Sequence, residues 1–198
     1  MGLVRTLVDC EKQDDESSLP QELRELYDGD LHFSTSPATR PFVIANFVST
    51  LDGVVSYEIQ GKSGGSTISG SNPADRFIMG LLRASADAVM VGAGTLNSVS
   101  GKALWTPEYV YSDAKQLYEE YRVDVLHKPE HPLLVIVSGS GRLELERAIF
   151  RTPAMRTVVI TTSAGRDELA RQGAATLSSV EVYALNASDG SIAPQAIL

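Results

Sequence analysis

Three short stretches of this 198-residue chain hold residue types that could do chemistry. The first is residues 46–53 (NFVSTLDG). Polar and apolar residues alternate there before an Asp-Gly turn, so Thr50 and Asp52 emerge where an extended run ends. A carboxylate at such a point can bind polar groups of a substrate. It can equally be a turn aspartate bonding its own backbone. The second stretch is residues 91–95 (VGAGT), directly after the apolar AVMV. Gly92 and Gly94 let a backbone approach a phosphate closely, successive N–H groups can form an anion-binding nest, and Thr95 adds a hydroxyl. A plain glycine turn at a strand end fits the same residues. The third is Arg83 in LLRASADAV, near the end of a helical pattern. The helix dipole alone favours a cation there. If Arg83 faces the strand ends, it is instead a natural partner for an anionic ligand.

Other motifs fail on their spacing. Gly61-Lys62-Ser63 ends like a phosphate-binding P-loop, but the glycine required five residues earlier is Ser56. Residues 92–97 supply two of the three glycines of a dinucleotide fingerprint; the third position is Asn97, and SVSGK does not start a convincing helix. His127 and His131 stand four apart with Pro129 between them, so no regular helix presents both, and HExxH is absent. No metal site is expected. Ser138 to Gly141 (SGSG) only approaches a hydrolase elbow.

The elements that must position these groups follow from pattern. Lys plus Arg number 17 and Asp plus Glu 25, a net charge of −8, which argues against a nucleic-acid or anionic-membrane binder. Cys10 is the only cysteine, so neither an intramolecular disulfide nor a Cys-based zinc site is possible. No apolar run approaches membrane-spanning length, and a cytoplasmic protein is expected. Residues 1–40 read as a peripheral extension with an acidic run at 11–16 and a short helix at 20–27, capped by Ser17 or Ser18 and stopped at Gly29. From residue 41 onward the pattern predicts a buried strand at 42–49, renewed extended structure at 54–57 and a Gly/Ser loop at 61–71. A helix opened by Asn72 and Pro73 follows, with Ala74, Phe77, Ile78, Leu81 and Leu82 on one face. Strands are predicted at 88–91, 133–137, 157–161 and 180–184. Helices are predicted at 113–122 behind Ser112 and from Ser163 to Gln172, stopped by Gly173. The alternation means an α/β domain with a mainly parallel sheet. Trp105, in a loop, either stacks on a ring or plugs the domain surface.

In this order the pieces resemble one family. RPFVIANFVSTLDG, a Gly/Ser loop ending TISG, and a helix ending LLRASADAVMVGAGTL are similar to the reductase domain of riboflavin biosynthesis. HPLLVIVSGSGRL and RTVVITTSA extend the likeness more loosely. The resemblance implies a dihydrofolate-reductase-like three-layer sandwich with a mainly parallel central sheet. It implies NADPH-dependent reduction of 5-amino-6-(5-phosphoribosylamino)uracil to its ribitylamino product, and a homodimer. It puts Val48 and Thr50 beside the nicotinamide, and Asp52 with Asn46 at the reacting centre. Gly65, Ser66 and Thr67 line the pocket, the first two toward substrate and Thr67 toward cofactor. Arg83 holds the substrate phosphate; Gly92, Gly94 and Thr95 meet the cofactor phosphates, with Ser138 or Gly139 near the adenosine half.

The departures are specific. Asn46 stands where many members have Lys, and NSVSGKALWTPEY replaces an acid pair, Pro, Leu and a substrate-binding Arg. A Glu-Gly-Gly loop that completes the family's site does not occur before Leu198, and SIAPQAIL reads like a helix beginning, so a reductase domain at 41–198 incomplete at its C-terminus is expected. Two other functions stay open: a reductase of another pterin or pyrimidine, and a nucleotide-binding protein without catalysis.

Overall fold

Asn72 shows how locally the fold is written. Its side-chain oxygen accepts from the N–H of Ala74 at 2.8 Å and of Asp75 at 3.4 Å, two donors that a helix start leaves orphaned. The computed structural model describes residues 3–4, 19–31, 41–57, 65–186 and 192–197. Cys10, the acidic run at 11–16, Ser17, Ser18 and the Gly61-Lys62-Ser63 tripeptide lie outside the described residues.

Helix α1 (Gln21–Tyr27) opens behind Pro20 and ends at Asp28, whose φ of 58° makes it, rather than Gly29, the left-handed cap. Helix α2 (Gly65–Ser69) is a short turn inside the stretch expected to be a loop. Helix α3 (Pro73–Ser85) leads to strand β1 (Ala88–Gly92), helix α4 (Ala93–Ser98) and helix α5 (Pro107–Val110). The expected helix at 113–122 is three pieces: a 3₁₀ turn at Ser112–Ala114, helix α6 (Lys115–Glu120) and a π-helical turn at Tyr121–Val125. Strand β2 (Leu133–Ser138), helix α7 (Ala148–Arg151), strand β3 (Thr157–Thr162), helix α8 (Ser163–Arg171) and strand β4 (Val180–Leu185) complete the α/β alternation. The cap of α8 is Thr162, not Ser163: its extended backbone lets Oγ1 accept the N–H of Gly165 at 3.0 Å. The tail expected to begin a helix holds a single 3₁₀ turn at Pro194–Ala196.

The four strands are parallel in the order β1-β2-β3-β4. Val91, Ile136, Val159 and Val182 face one another across the sheet and bury one face against Leu96, Leu145, Ile149, Phe150 and Leu169. A second core lies among helices, where Phe77 and Leu81 of α3 meet Tyr118, Tyr121 and the α1 side of the chain through Leu19 and Leu23. That part of the N-terminal extension is therefore packed, not peripheral. Gly80 admits the Tyr118 ring, whose hydroxyl donates to the Phe77 carbonyl at 2.7 Å.

Two cations gather at the end of α3. Arg122, 1% exposed, donates from one terminal nitrogen to the carbonyls of Ala84 (3.0 Å) and Ala86 (2.6 Å), and from Nε to Pro129 (2.5 Å). Lys128 donates to Ser85 O at 2.6 Å and pairs with Asp87 at 3.0 Å. Both satisfy carbonyls around the end of α3. They thereby fix the turn from α3 into β1.

The strand expected at 42–49 is not formed. The run is irregular, and Phe42, Val43, Ile44 and Phe47 are exposed. A strand requires a neighbour's N–H and C=O groups, and among the described residues no backbone partner is found for this run. Residues 54–57 are likewise irregular.

Candidate functional site

A cleft of about 2120 Å³ runs between two walls. One wall is α3, β1, α4 and the loop to Trp105; the other is residues 41–48 with the start of α2. Single ligand pockets occupy roughly 300–1,000 Å³, so this cleft has room for two bound molecules side by side.

The cleft gathers eight of the residues singled out in the sequence: Asn46, Val48, Gly65, Ser66, Arg83, Gly92, Gly94 and Thr95. It does not gather Thr50, Asp52, Thr67 or Ser138. Thr50 Oγ1 donates to Asp52 and also accepts the N–H of Val54 at 2.9 Å. The pair locks a turn in which Gly53 takes φ 88°, so here the Asp52 carboxylate bonds the Thr50 side chain and not its own backbone. Ser138 is buried at the end of β2, its Oγ without a partner among the described residues, and its carbonyl accepts from Thr161 Oγ1 at 2.6 Å. Among the described residues no three of His, Cys, Asp or Glu come together as metal ligands would.

The VGAGT stretch is not a free nest. Gly92 ends β1 and caps α4, while Gly94 and Thr95 lie in that helix's first turn. Neither glycine adopts positive φ, and a Cβ placed on either would meet nothing within 4 Å. The glycines therefore leave open space on the cleft side of the strand end. That space is what a cofactor phosphate or any flat anion needs in order to approach backbone.

Arg83 supplies the charge. Burial pulls its guanidinium down to about 10, with Glu108 partly opposing the fall, so it stays cationic at neutral pH. Among the described residues it forms no ion pair. One terminal nitrogen reaches Thr106 O at 3.5 Å, a long contact, and the other the Met79 sulfur at 3.4 Å, a weak acceptor. Its carbon centre sits 5.0 Å above the Trp105 ring. A partly buried cation held by an aromatic face, a thioether and one carbonyl can accept an anion from the cleft.

Met79 is a cleft residue that sequence reasoning did not assign, and Trp105, expected either to stack on a ring or to plug the surface, lies in the cleft and packs on the sheet core. Met79 is one turn before Arg83 on α3, so helical spacing could have found it. Nothing in the sequence sets residue 105 over residue 83; only the loop's path does.

Among the described residues no helix is long and apolar enough to cross a membrane. A family model described as the RibD C-terminal domain matches residues 41–189, well over half of the chain. No curated protein matches it.

Proposed function

The chain belongs to the RibD C-terminal domain family, and from that premise we propose that it is an NADPH-dependent reductase of the riboflavin pathway. Its α/β fold is dihydrofolate-reductase-like, and its family is one of reductases. The proposed reaction converts 5-amino-6-(5-phosphoribosylamino)uracil to the ribitylamino product, in the cytoplasm and as a homodimer. The observation that carries this reading is Arg83: a partly buried cation, without an ion pair among the described residues, in the same cleft as the open faces of Gly92 and Gly94.

Ribosyl becomes ribityl when C1′ gains a hydride, the C1′–O4′ bond breaks and O4′ takes a proton from solvent. NADPH supplies the hydride when bound. The protein then has to hold two anions in register and keep bulk water from the transfer. Arg83 takes the substrate phosphate and so sets where C1′ lies. Gly92, Gly94 and Thr95 receive the cofactor phosphates at the end of β1. Val48 offers an apolar contact and Asn46 an amide that can donate and accept, from the opposite wall. Gly65 and Ser66 close the substrate end. Asp52 serves by holding the Thr50 turn, which sets the course of that wall.

Asn46 supports a second reading, a reductase of another pterin or pyrimidine, because it gives the wall a neutral group. Steady-state turnover with NADPH on the phosphoribosylaminouracil and on dihydrofolate separates the two. Turnover on the first alone supports the proposal, and turnover on the second alone replaces it. NADPH binding without turnover on any pyrimidine or pterin would make the chain a nucleotide-binding protein.

A further inference from the structure

Trp105 holds Arg83 without neutralising it. A buried cation loses hydration and needs compensation. A carboxylate would supply it and cancel the charge. An indole face supplies it through the ring quadrupole and leaves the positive charge available to a ligand. The contacts at Arg83 follow that pattern: ring below the guanidinium, one long carbonyl contact, one thioether, and no ion pair among the described residues, with Glu108 acting on it only through space.

The loop that presents the ring is itself held. Arg147 donates to Val99 O at 3.1 Å and Asn97 O at 3.4 Å and pairs with Glu144 at 2.9 Å. Ala148 N–H bonds Gly101 O at 2.9 Å. On the far side, Thr106 is fully buried and Pro107 starts α5. Trp105 packs on the sheet core, yet its buried Nε1 has no acceptor among the described residues. Packing and the stacked cation fix the ring, not a hydrogen bond.

We propose that Trp105 is a positioning residue for a phosphate monoester: it pins the Arg83 guanidinium at the cleft so that the free N–H donors face the ligand. This rests on the reading of Arg83 as the phosphate-binding cation, and it is new in assigning the aromatic partner that makes tolerable there an arginine with no ion pair among the described residues.

Trp105 is the only tryptophan in the chain, so its emission reports the site directly. The test titrates the full chain with inorganic phosphate and with ribose 5-phosphate at constant ionic strength, followed by tryptophan fluorescence and by calorimetry. NADPH affinity is measured in parallel. The expected result is a saturable emission change that is lost in Arg83→Met. Calorimetry should show phosphate affinity falling about tenfold in Trp105→Leu and by less than about threefold in Trp105→Phe, which keeps an aromatic face. NADPH affinity should hold in both variants. Calorimetric binding with no emission change would overturn the inference, and so would wild-type phosphate affinity in Trp105→Leu. If that variant does not fold, an aromatic Trp105→Phe as weak as Arg83→Met would overturn it as well. Loss of NADPH binding with an intact phosphate response would instead sink the reductase reading and leave the role of Trp105 standing.

Discussion

One wall of the cleft and the strand that pairs with β1 of the other are made from similar residues and built differently. Residues 42–49 (FVIANFVS) and β2 (LLVIVS) are both apolar runs that read as buried strands. β2 lies between β1 and β3 with Ile136 fully buried, while Phe47 on the other run is 75% exposed. The difference lies in neighbours, not in side chains. β2 has a ladder on each edge and a helical layer over one face, whereas among the described residues 42–49 is offered no ladder at all. An apolar run specifies willingness to be a strand; the partner edges decide whether it becomes one. The consequence for function is direct. Arg83, Gly92 and Gly94 stand on a wall fixed by α3, β1 and the Arg122 and Lys128 contacts, while Asn46 and Val48 stand on one whose conformation rests on the Thr50–Asp52 turn.

The widest gap between the two runs should appear in stability. Ile136→Ala is expected to cost about 4 kcal/mol in urea unfolding, and Ile44→Ala less than about 0.5 kcal/mol. Equal losses would mean that 42–49 is packed as deeply as the sheet. Glycines give the next contrast. At Gly141, φ 66°, a Cβ would come within 2.0 Å of the Gly165 carbonyl oxygen, so Gly141→Ala should cost about 3 kcal/mol. Gly53 has φ 88° with open space around it, and the same change there should cost only about 1 kcal/mol. For binding, Arg83→Met should weaken inorganic phosphate about 30-fold, because a charge-assisted contact is lost, whereas Asn46→Ala should change it by less than about threefold. Comparable losses would show the phosphate bridging both walls.

The smallest effect is alkaline. Burial raises Tyr118 and Tyr121 above the usual phenol range, Tyr111 adding to the first. The unfolded chain releases these protons at pH about 10 while the folded chain retains them, so stability is full below that pH and falls as pH rises beyond it. Melting temperature should drop above pH about 10, and Tyr118→Phe should flatten that drop. A variant profile parallel to wild type would remove Tyr118 from the cause.

The contrast also marks what the sequence could tell. All four strands of the sheet were legible, because apolar runs such as AVMV and TVVIT sit between capping and breaking residues that bound them. The Asn72–Pro73 start of α3 was legible for the same reason: the cap bonds within three residues of itself. The α8 cap slipped by one residue because Thr162 and Ser163 are equally good acceptors by type, and only the backbone angle of Thr162 chooses between them. The failed strand at 42–49 and the stacking of Trp105 on Arg83 share one cause. Each depends on contacts distant in sequence, and no local period encodes them. Of the site, residue types were readable at Arg83, Gly92 and Gly94, while the company they keep was not.

The most direct measurement is a calorimetric titration of NADPH into the full chain and into Gly94→Val, with thermal melts of both. A Cβ at Gly94 meets nothing within 4 Å among the described residues, so the melts should agree closely. Wild type is predicted to bind NADPH saturably and the variant at least about tenfold more weakly, since the added methyl groups fill the space at the end of β1. No binding by wild type, or equal affinity in the two proteins, would contradict a cofactor site at that strand end.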